Sequence, residues 1–282
     1  MLFDAAKQCV ATIADRVRRG ETSSAPALEV DNGTRHSVTI VLCSIDARKH
    51  DRAVALYRRL FSHVPHEIIA VRNARSLAET YNSAVARSVA DVVLLSHDDV
   101  DVLALDFAAR IFARLKDYDA LGVVGSMRMN GPALGWSGHP HLRGWITHHA
   151  PDDPTWRVDI LDPRPVAGNI MVLDGVLLAA RREVLTAVPF DAETFDGFHL
   201  YDIDWSYRAA RAGFRLGVAG DLLLVHASRG QYGAAWQHYA DRFCAKHVAV
   251  GTPPAPSSFF GATLDSPDHV RAFYALLAQV LD

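Results

Sequence analysis

Asp91-Val-Val-Leu-Leu-Ser-His-Asp-Asp-Val-Asp101 reads as a short apolar strand, Asp91 to Leu95, running straight into an acidic loop. Four consecutive Val and Leu residues without polar alternation suit a strand covered on both faces, as parallel sheets require. Upstream, Ser37-Val-Thr-Ile-Val-Leu-Cys-Ser44 has the same β-branched character. Between the two lie a helical segment over 52–61 with Ala53, Leu56, Tyr57 and Leu60 on one face, a strand over 67–72 and a helix over 77–89. Strand and helix alternating at this pitch predict a doubly wound α/β sheet. Ligands collect at the carboxyl ends of such strands. The residues to watch are therefore Ser44-Ile45-Asp46 after the first strand and Ser96 to Asp101 after the third.

Further along, the pattern predicts a helix over 107–115 and a strand over 121–124. The stretch 125–165 is rich in Gly, Pro, His and Trp with little periodicity, and reads as a long irregular segment of the functional or mobile kind. Regular structure returns over 169–181, then a helix holding Asp202 to Ala212, a strand near 222–225 and a helix over 234–247. Phe3, Ala6, Val10, Ile13 and Val17 have helical spacing, and 20–33 reads as a polar linker. After Pro253-Pro254-Ala255-Pro256 comes an amphipathic helix over 267–281. The chain thus divides into an N-terminal helix and linker (1–33), a main domain (34–250), and a Pro-rich connection with a C-terminal helix (251–282).

Composition narrows the class. The 282 residues are 50% hydrophobic and 22% charged, enough for a large core, and the formal net charge of -3 gives no footprint for nucleic acid. Cys9, Cys43 and Cys244 are scattered and show no metal-type spacing, which points to reduced thiols. No signal-peptide core and no apolar run of about 20 residues is evident. The expectation is a cytoplasmic protein, free or brought to a membrane periphery by a partner.

Three sites carry chemistry. Asp98, Asp99 and Asp101 are three carboxylates within four residues, which repel one another unless a cation or solvent intervenes. Such a cluster suits either a hard divalent ion, which selects oxygen ligands, or a loop capping the next helix. The block Phe195-Asp-Gly-Phe-His-Leu-Tyr-Asp202-Ile-Asp204-Trp205 opens a helix with two Asp residues, where capping explains one well and the second less well. His226 ends the run Asp221-Leu-Leu-Leu-Val225 and, taken alone, is more often structural than a ligand. Among weaker candidates, Trp136 and Trp145 are flat platforms suited to pyranose rings. His139, His141, His148 and His149 lack a zinc-type spacing and any accompanying Cys.

In this order the elements resemble a family-2-type glycosyltransferase of the GT-A fold, in the subgroup that has His-x-Asp-Val in place of Asp-x-Asp. The resemblance covers about residues 37–247. It rests on the strand ending at Ser44, Asn82, Ser96-His97-Asp98-Asp99-Val100, Leu173-Asp174-Gly175 with Arg181-Arg182, the 195–204 block and His226-Ala227-Ser228. It implies a Rossmann-like, mixed but mostly parallel central sheet flanked by helices. Asp99 is then the main metal ligand and His226 a further one, while Asp202 is the catalytic base. Ser44 and Asp46 lie where such enzymes hold the nucleobase, and Asp98 either assists Asp99 or points away. His97 stands where many relatives have an Asp, and its role, toward ribose, toward metal or in packing, stays open. Asp174 and Gly175 either bring backbone near donor and acceptor or form a tight turn within a strand pair, and Arg229 is either a surface residue or a basic one able to close over the diphosphate. His199 and Trp205 are candidates for the acceptor pocket, Trp205 being alternatively a core residue.

The implied reaction moves a sugar from a nucleoside-diphosphate sugar, a UDP-sugar first, to a hydroxyl of a glycan, lipid-linked or small-molecule acceptor. It uses Mn²⁺ or Mg²⁺ and proceeds with inversion. Nucleotidyl transfer is disfavoured because Ser44-Ile-Asp-Ala-Arg48 has no glycine. The remaining alternative is a nucleotide-sugar-binding or hydrolysing protein of the same fold without transferase activity.

Overall fold

The computed structural model of the protein describes residues 2–24, 27–28, 36–228, 230, 232–247 and 260–281. The chain runs α1 (Leu2–Arg18), β1 (Val38–Ser44), α2 (Ala47–Leu60), β2 (His66–Arg72), α3 (Leu77–Arg87) and β3 (Val92–Ser96). It continues through β4 (Val100–Val102), α4 (Phe107–Arg114), β5 (Ala120–Gly122), β6 (Val124–Ser126), β7 (Leu142–His148) and β8 (Trp156–Ile160). Next come β9 (Val166–Ile170), β10 (Val172–Leu173), β11 (Leu177–Arg181), α5 (Arg182–Ala187), α6 (Tyr201–Arg211), β12 (Leu216–Ala219) and β13 (Leu224–His226). The last elements are α7 (Ala234–His247), β14 (Phe260–Leu264) and α8 (Pro267–Leu281). Pro253, Pro254 and Pro256 lie outside the described residues.

The central sheet has the order β2-β1-β3-β11-β5-β12-β9. β1 pairs in parallel with β2 and β3, and β5 with β12, while β11 and β9 run the other way. The sheet is therefore mixed and mostly parallel. Alternate residues of β1 explain its unbroken apolar run: Ile40 and Leu42 pack with Tyr57 and Phe107 on one face, Val41 with Leu77 and Tyr81 on the other. Side-chain caps set where the flanking helices begin. The Asp46 carboxylate accepts from the amides of Arg48 and Lys49, and the Ser76 hydroxyl from the amide of Glu79.

A second sheet, β10-β6-β7-β13-β4, extends through β8 to β14. This overturns the expectation of an irregular stretch over 125–165, because β7 and β8 lie within it. The strands were hidden by residues with local jobs. Gly144 in β7 has φ +109, and a Cβ there would stand 2.1 Å from the Val123 carbonyl oxygen, so glycine is demanded inside a strand. Trp145 is likewise corrected as a sugar platform: it is 1% exposed, stacks on Tyr274 with ring centroids 4.8 Å apart, and donates its indole N–H to the Asp162 carbonyl. It belongs to a third core cluster in which Val10, Ile13 and Val17 of α1 meet Phe273 and Leu277 of α8. Among the described residues no helix is long and apolar enough to cross a membrane.

Candidate active site

The carboxyl ends of β1 and β3 open into a cleft of about 1050 Å³ lined by Ser44, Asp46, His97, Asp98, Asp174, Gly175, Asp202 and His226. The sequence candidates thus converge, with Arg229 lying outside the described residues.

The acidic loop after β3 resolves its own repulsion by aiming its carboxylates apart. Asp98 accepts from the Ser44 hydroxyl, Asp101 pairs with Arg52 at 2.9 Å, and Asp99 faces His226, Oδ1 to Nε2 3.2 Å. β13 carries His226 beside β4, pairing it with Val100, and the Ala227 amide donates to the Asp99 carbonyl at 2.9 Å. Burial pushes the Asp99 carboxyl up, yet the hydrogen bond and charge of His226, with help from Ser228 and His97, outweigh it and hold the group below the usual carboxylate range. Burial, then the charge of His226, pulls the His97 imidazole down, favouring the neutral ring that can offer a lone pair. Donor atoms of His97, Asp99 and His226 all lie within 4.8 Å of one another. Two imidazole nitrogens and a carboxylate oxygen so placed can hold one divalent ion.

Across the cleft, Asp202 opens α6. Leu200 precedes the helix with φ 64, a left-handed conformation costing a non-glycine residue about 1–2 kcal/mol. That turn aims the first helical residues at the β10–β11 junction. The Gly175 amide donates to Asp202 Oδ2 at 2.6 Å, and the Tyr201 hydroxyl lies 3.3 Å from His97 Nε2. Burial, then the charge of Asp174, pushes the Asp202 carboxyl up to about 7, against the backbone N–H groups of Ile203 and Gly175 that pull it down. A carboxyl so tuned exchanges its proton near neutrality. Asp204, two residues on, serves the fold instead, being fully buried and ion-paired with Arg208, Lys246 and His247.

Gly175 holds this geometry by its size. A Cβ there would meet Tyr201 Oη at 2.5 Å, Asp202 Cβ at 2.8 Å and Asp202 Oδ2 at 2.9 Å. Gly175→Ala is expected to lower stability by about 1–3 kcal/mol, because Tyr201 and Asp202 must shift to admit the methyl group. Thermal melting checks this; a variant that melts like wild type would show that the site can take up the methyl group without strain.

Sequence reasoning missed several residues of the cleft. Lys49 reaches to 4.0 Å from Asp99 Oδ2, and Phe198, Tyr232 and Trp236 line the mouth. Asn82 proved structural, clasping the Phe190 backbone with both ends of its amide.

A model of the glycosyltransferase-like family matches residues 39–246. No curated protein sequence matches the chain. Among solved structures, a mannosyltransferase, PcManGT from Pyrobaculum calidifontis in complex with GDP-Man and Mn²⁺, is similar over 98% of this chain and 83% of its own, at 17% identity and a TM-score of 0.50. GalNAc-T7 with UDP, GalNAc and Mn²⁺ is similar over 86% of this chain and 56% of its own, at 13% identity and a TM-score of 0.50. At these identities the likeness is one of fold, the GT-A fold of glycosyltransferases. Because the family match spans most of the chain, the protein belongs to the glycosyltransferase-like family.

Proposed function

We propose that the protein transfers a sugar from a nucleoside-diphosphate sugar to an acceptor hydroxyl, with inversion, and depends on a divalent ion. One observation carries the reading: a single cleft is lined by His97 and His226, whose donor atoms cluster with that of Asp99, and by Asp202, whose carboxyl is pushed up to about 7. The two functions of the reaction, leaving-group stabilisation and proton removal, would be divided between these groups. Residues 34–250 would form the transferase domain, with 1–33 and 251–282 as its accompanying segments.

His97, Asp99 and His226 would hold the ion. Their two nitrogens and one oxygen suit Mn²⁺ better than Mg²⁺, which prefers an all-oxygen shell. The bound ion supplies Lewis-acid stabilisation of the negative charge that grows on the departing diphosphate. The remaining roles fall to side chains. Asp202 would take the acceptor proton during in-line attack, its carboxylate fixed by the Gly175 amide. Ser44, Asp46 and Asp98, at the end of β1, would border the nucleotide; the Asp46 carboxylate is engaged in capping α2, so its contact would be limited to its free oxygen. Asp174 and Gly175 would line the donor sugar, and Arg229 would approach the diphosphate. The acceptor is taken as a glycan, a lipid-linked sugar or a small molecule.

Thermal melting with a panel of nucleotide-sugars tests this, UDP-sugars first and GDP-mannose beside them. At a hundredfold excess over Kd the matching donor is expected to raise the midpoint by about 5 °C or more with Mn²⁺, by less with Mg²⁺, and not at all in Asp99→Ala. If no nucleotide-sugar shifts wild type with either ion, the transferase reading loses its central support.

A further inference from the structure

We infer that the acceptor is gripped through a sugar ring, a hexopyranose whose C–H face lies against an aromatic cradle of Phe198, Tyr232 and Trp236 at the cleft mouth. The inference rests on the transfer reading above and assigns the class of acceptor that the site takes.

Among the described residues, the large apolar side chains left exposed are Leu28, Ile45, Val89, Leu105, Phe198, Tyr232 and Val280. The two aromatic ones, Phe198 at 48% and Tyr232 at 70%, both line the cleft. Rings of this size normally contribute to the core, so two of them held in solvent on the wall of one cleft mark a surface kept for a ligand.

Both rings have firm support. Trp236 is partly buried against the core cluster that also contains Trp205 and Phe243, and Tyr232 stands on it in a T-shaped pair with centroids 5.0 Å apart. Phe198 follows Gly197, whose carbonyl accepts from the Leu77 amide at 3.0 Å. A Cβ at Gly197 would lie 2.3 Å from the Tyr239 hydroxyl, so this loop is pressed against α7. Phe198 is also four residues from Asp202, at the start of the strained turn that aims α6. Most of the Tyr232 ring is in solvent, but its hydroxyl feels the cleft: burial, then the charges of Asp174 and Asp202, push the phenol up.

The chemistry around the rings chooses between occupants. A pyranose has a flat, weakly polar C–H face and an edge of hydroxyls. Here flat apolar rings share one cleft with His199, Asp174 and Asp202, so one ligand could stack on the rings and offer a hydroxyl to a carboxylate. An alkyl chain in the same place would desolvate those carboxylates without a compensating hydrogen bond, which is unfavourable.

Saturation-transfer NMR tests the cradle on the full chain, with aromatic protons irradiated and methyl and octyl hexopyranosides of gluco, galacto and manno configuration as probes. UDP or GDP with diamagnetic Mg²⁺ is added to fill the donor side. Ring C–H protons of at least one configuration are expected to saturate in both its methyl and octyl forms. The effect should fall about fivefold or more in Phe198→Ala and in Tyr232→Ala, and survive largely intact in Tyr232→Phe, which keeps the stacking face. Unaltered melting of each variant establishes that it is folded. Saturation of no pyranoside, equal saturation in wild type and both alanine variants, or saturation of the octyl chain with a silent ring would each overturn the proposal. A donor-dependent melting shift that persists alongside such a result sinks the cradle alone; loss of that shift in wild type sinks the transferase reading itself.

Discussion

Asp202→Asn is expected to lower kcat by about 10²- to 10⁴-fold while the Mn²⁺-dependent shift with nucleotide-sugar stays at its wild-type size. The carboxamide keeps the shape and can still accept from the Gly175 amide, but it cannot take a proton. Wild-type kcat/KM should rise with pH through about 7 and level off above it, because the base works only when ionised and its carboxyl is pushed up to that value. The same substitution has a stability signature of the opposite sense. A carboxyl whose folded pKa lies above its unfolded one binds more protons in the native state. Its contribution is therefore fully present below about pH 4 and is lost as pH rises through about 7. Asparagine is indifferent to this, so without metal or donor Asp202→Asn should melt higher than wild type at pH 8 and near it at pH 4. Full turnover in the variant, or a pH profile flat from 5 to 9, would remove Asp202 from the role of base.

How far the sequence alone could lead depended on whether a residue's job is local. β1 and β3 were readable because residues buried on both sheet faces leave an unbroken apolar run, and the acidic loop was readable because it follows such a strand. Its internal division was not readable. That Asp98 turns to Ser44, Asp101 to Arg52 and Asp99 to His226 depends on strands and a helix that meet only in space. His97 was ambiguous for the same reason: its partners, His226 and Tyr201, are more than a hundred residues away in the chain. β7 and β8 escaped notice because Gly144 and the surrounding Pro and His residues broke the two-residue period on which strand recognition relies. Trp145 misled because an indole in a Gly-rich stretch looks exposed, whereas the partner that covers it, Tyr274, belongs to the last helix. Lys49 and Trp236 stand on helices, and Tyr232 just before one, with no local mark of function.

Asp204→Ala, two residues from the proposed base, is expected to do the reverse of Asp202→Asn: to unfold the protein sooner rather than stop its chemistry. Asp204 is 0% exposed and receives Arg208 at 2.8 Å, Lys246 at 2.6 Å and His247 at 2.8 Å, which ties α6 to the end of α7. Burial pushes its carboxyl up, but the hydrogen bonds from His247 and Lys246 and the Arg208 charge outweigh that and hold it below the ordinary range. Removing it leaves Arg208 and His247 without a carboxylate partner among the described residues and Lys246 with Asp191 alone, which costs about 3–5 kcal/mol and lowers the melting midpoint by about 5–8 °C. A carboxyl whose folded pKa is depressed stabilises above its unfolded pKa and loses that contribution as pH falls through the folded one. The melting gap between wild type and Asp204→Ala should therefore be widest near neutrality and close under strong acid. Well below its new midpoint, the variant should keep donor affinity and most of its kcat. A variant that melts like wild type would show that the buried ion cluster adds no net stability. One that keeps its melting point but loses kcat would move catalysis from Asp202 to Asp204.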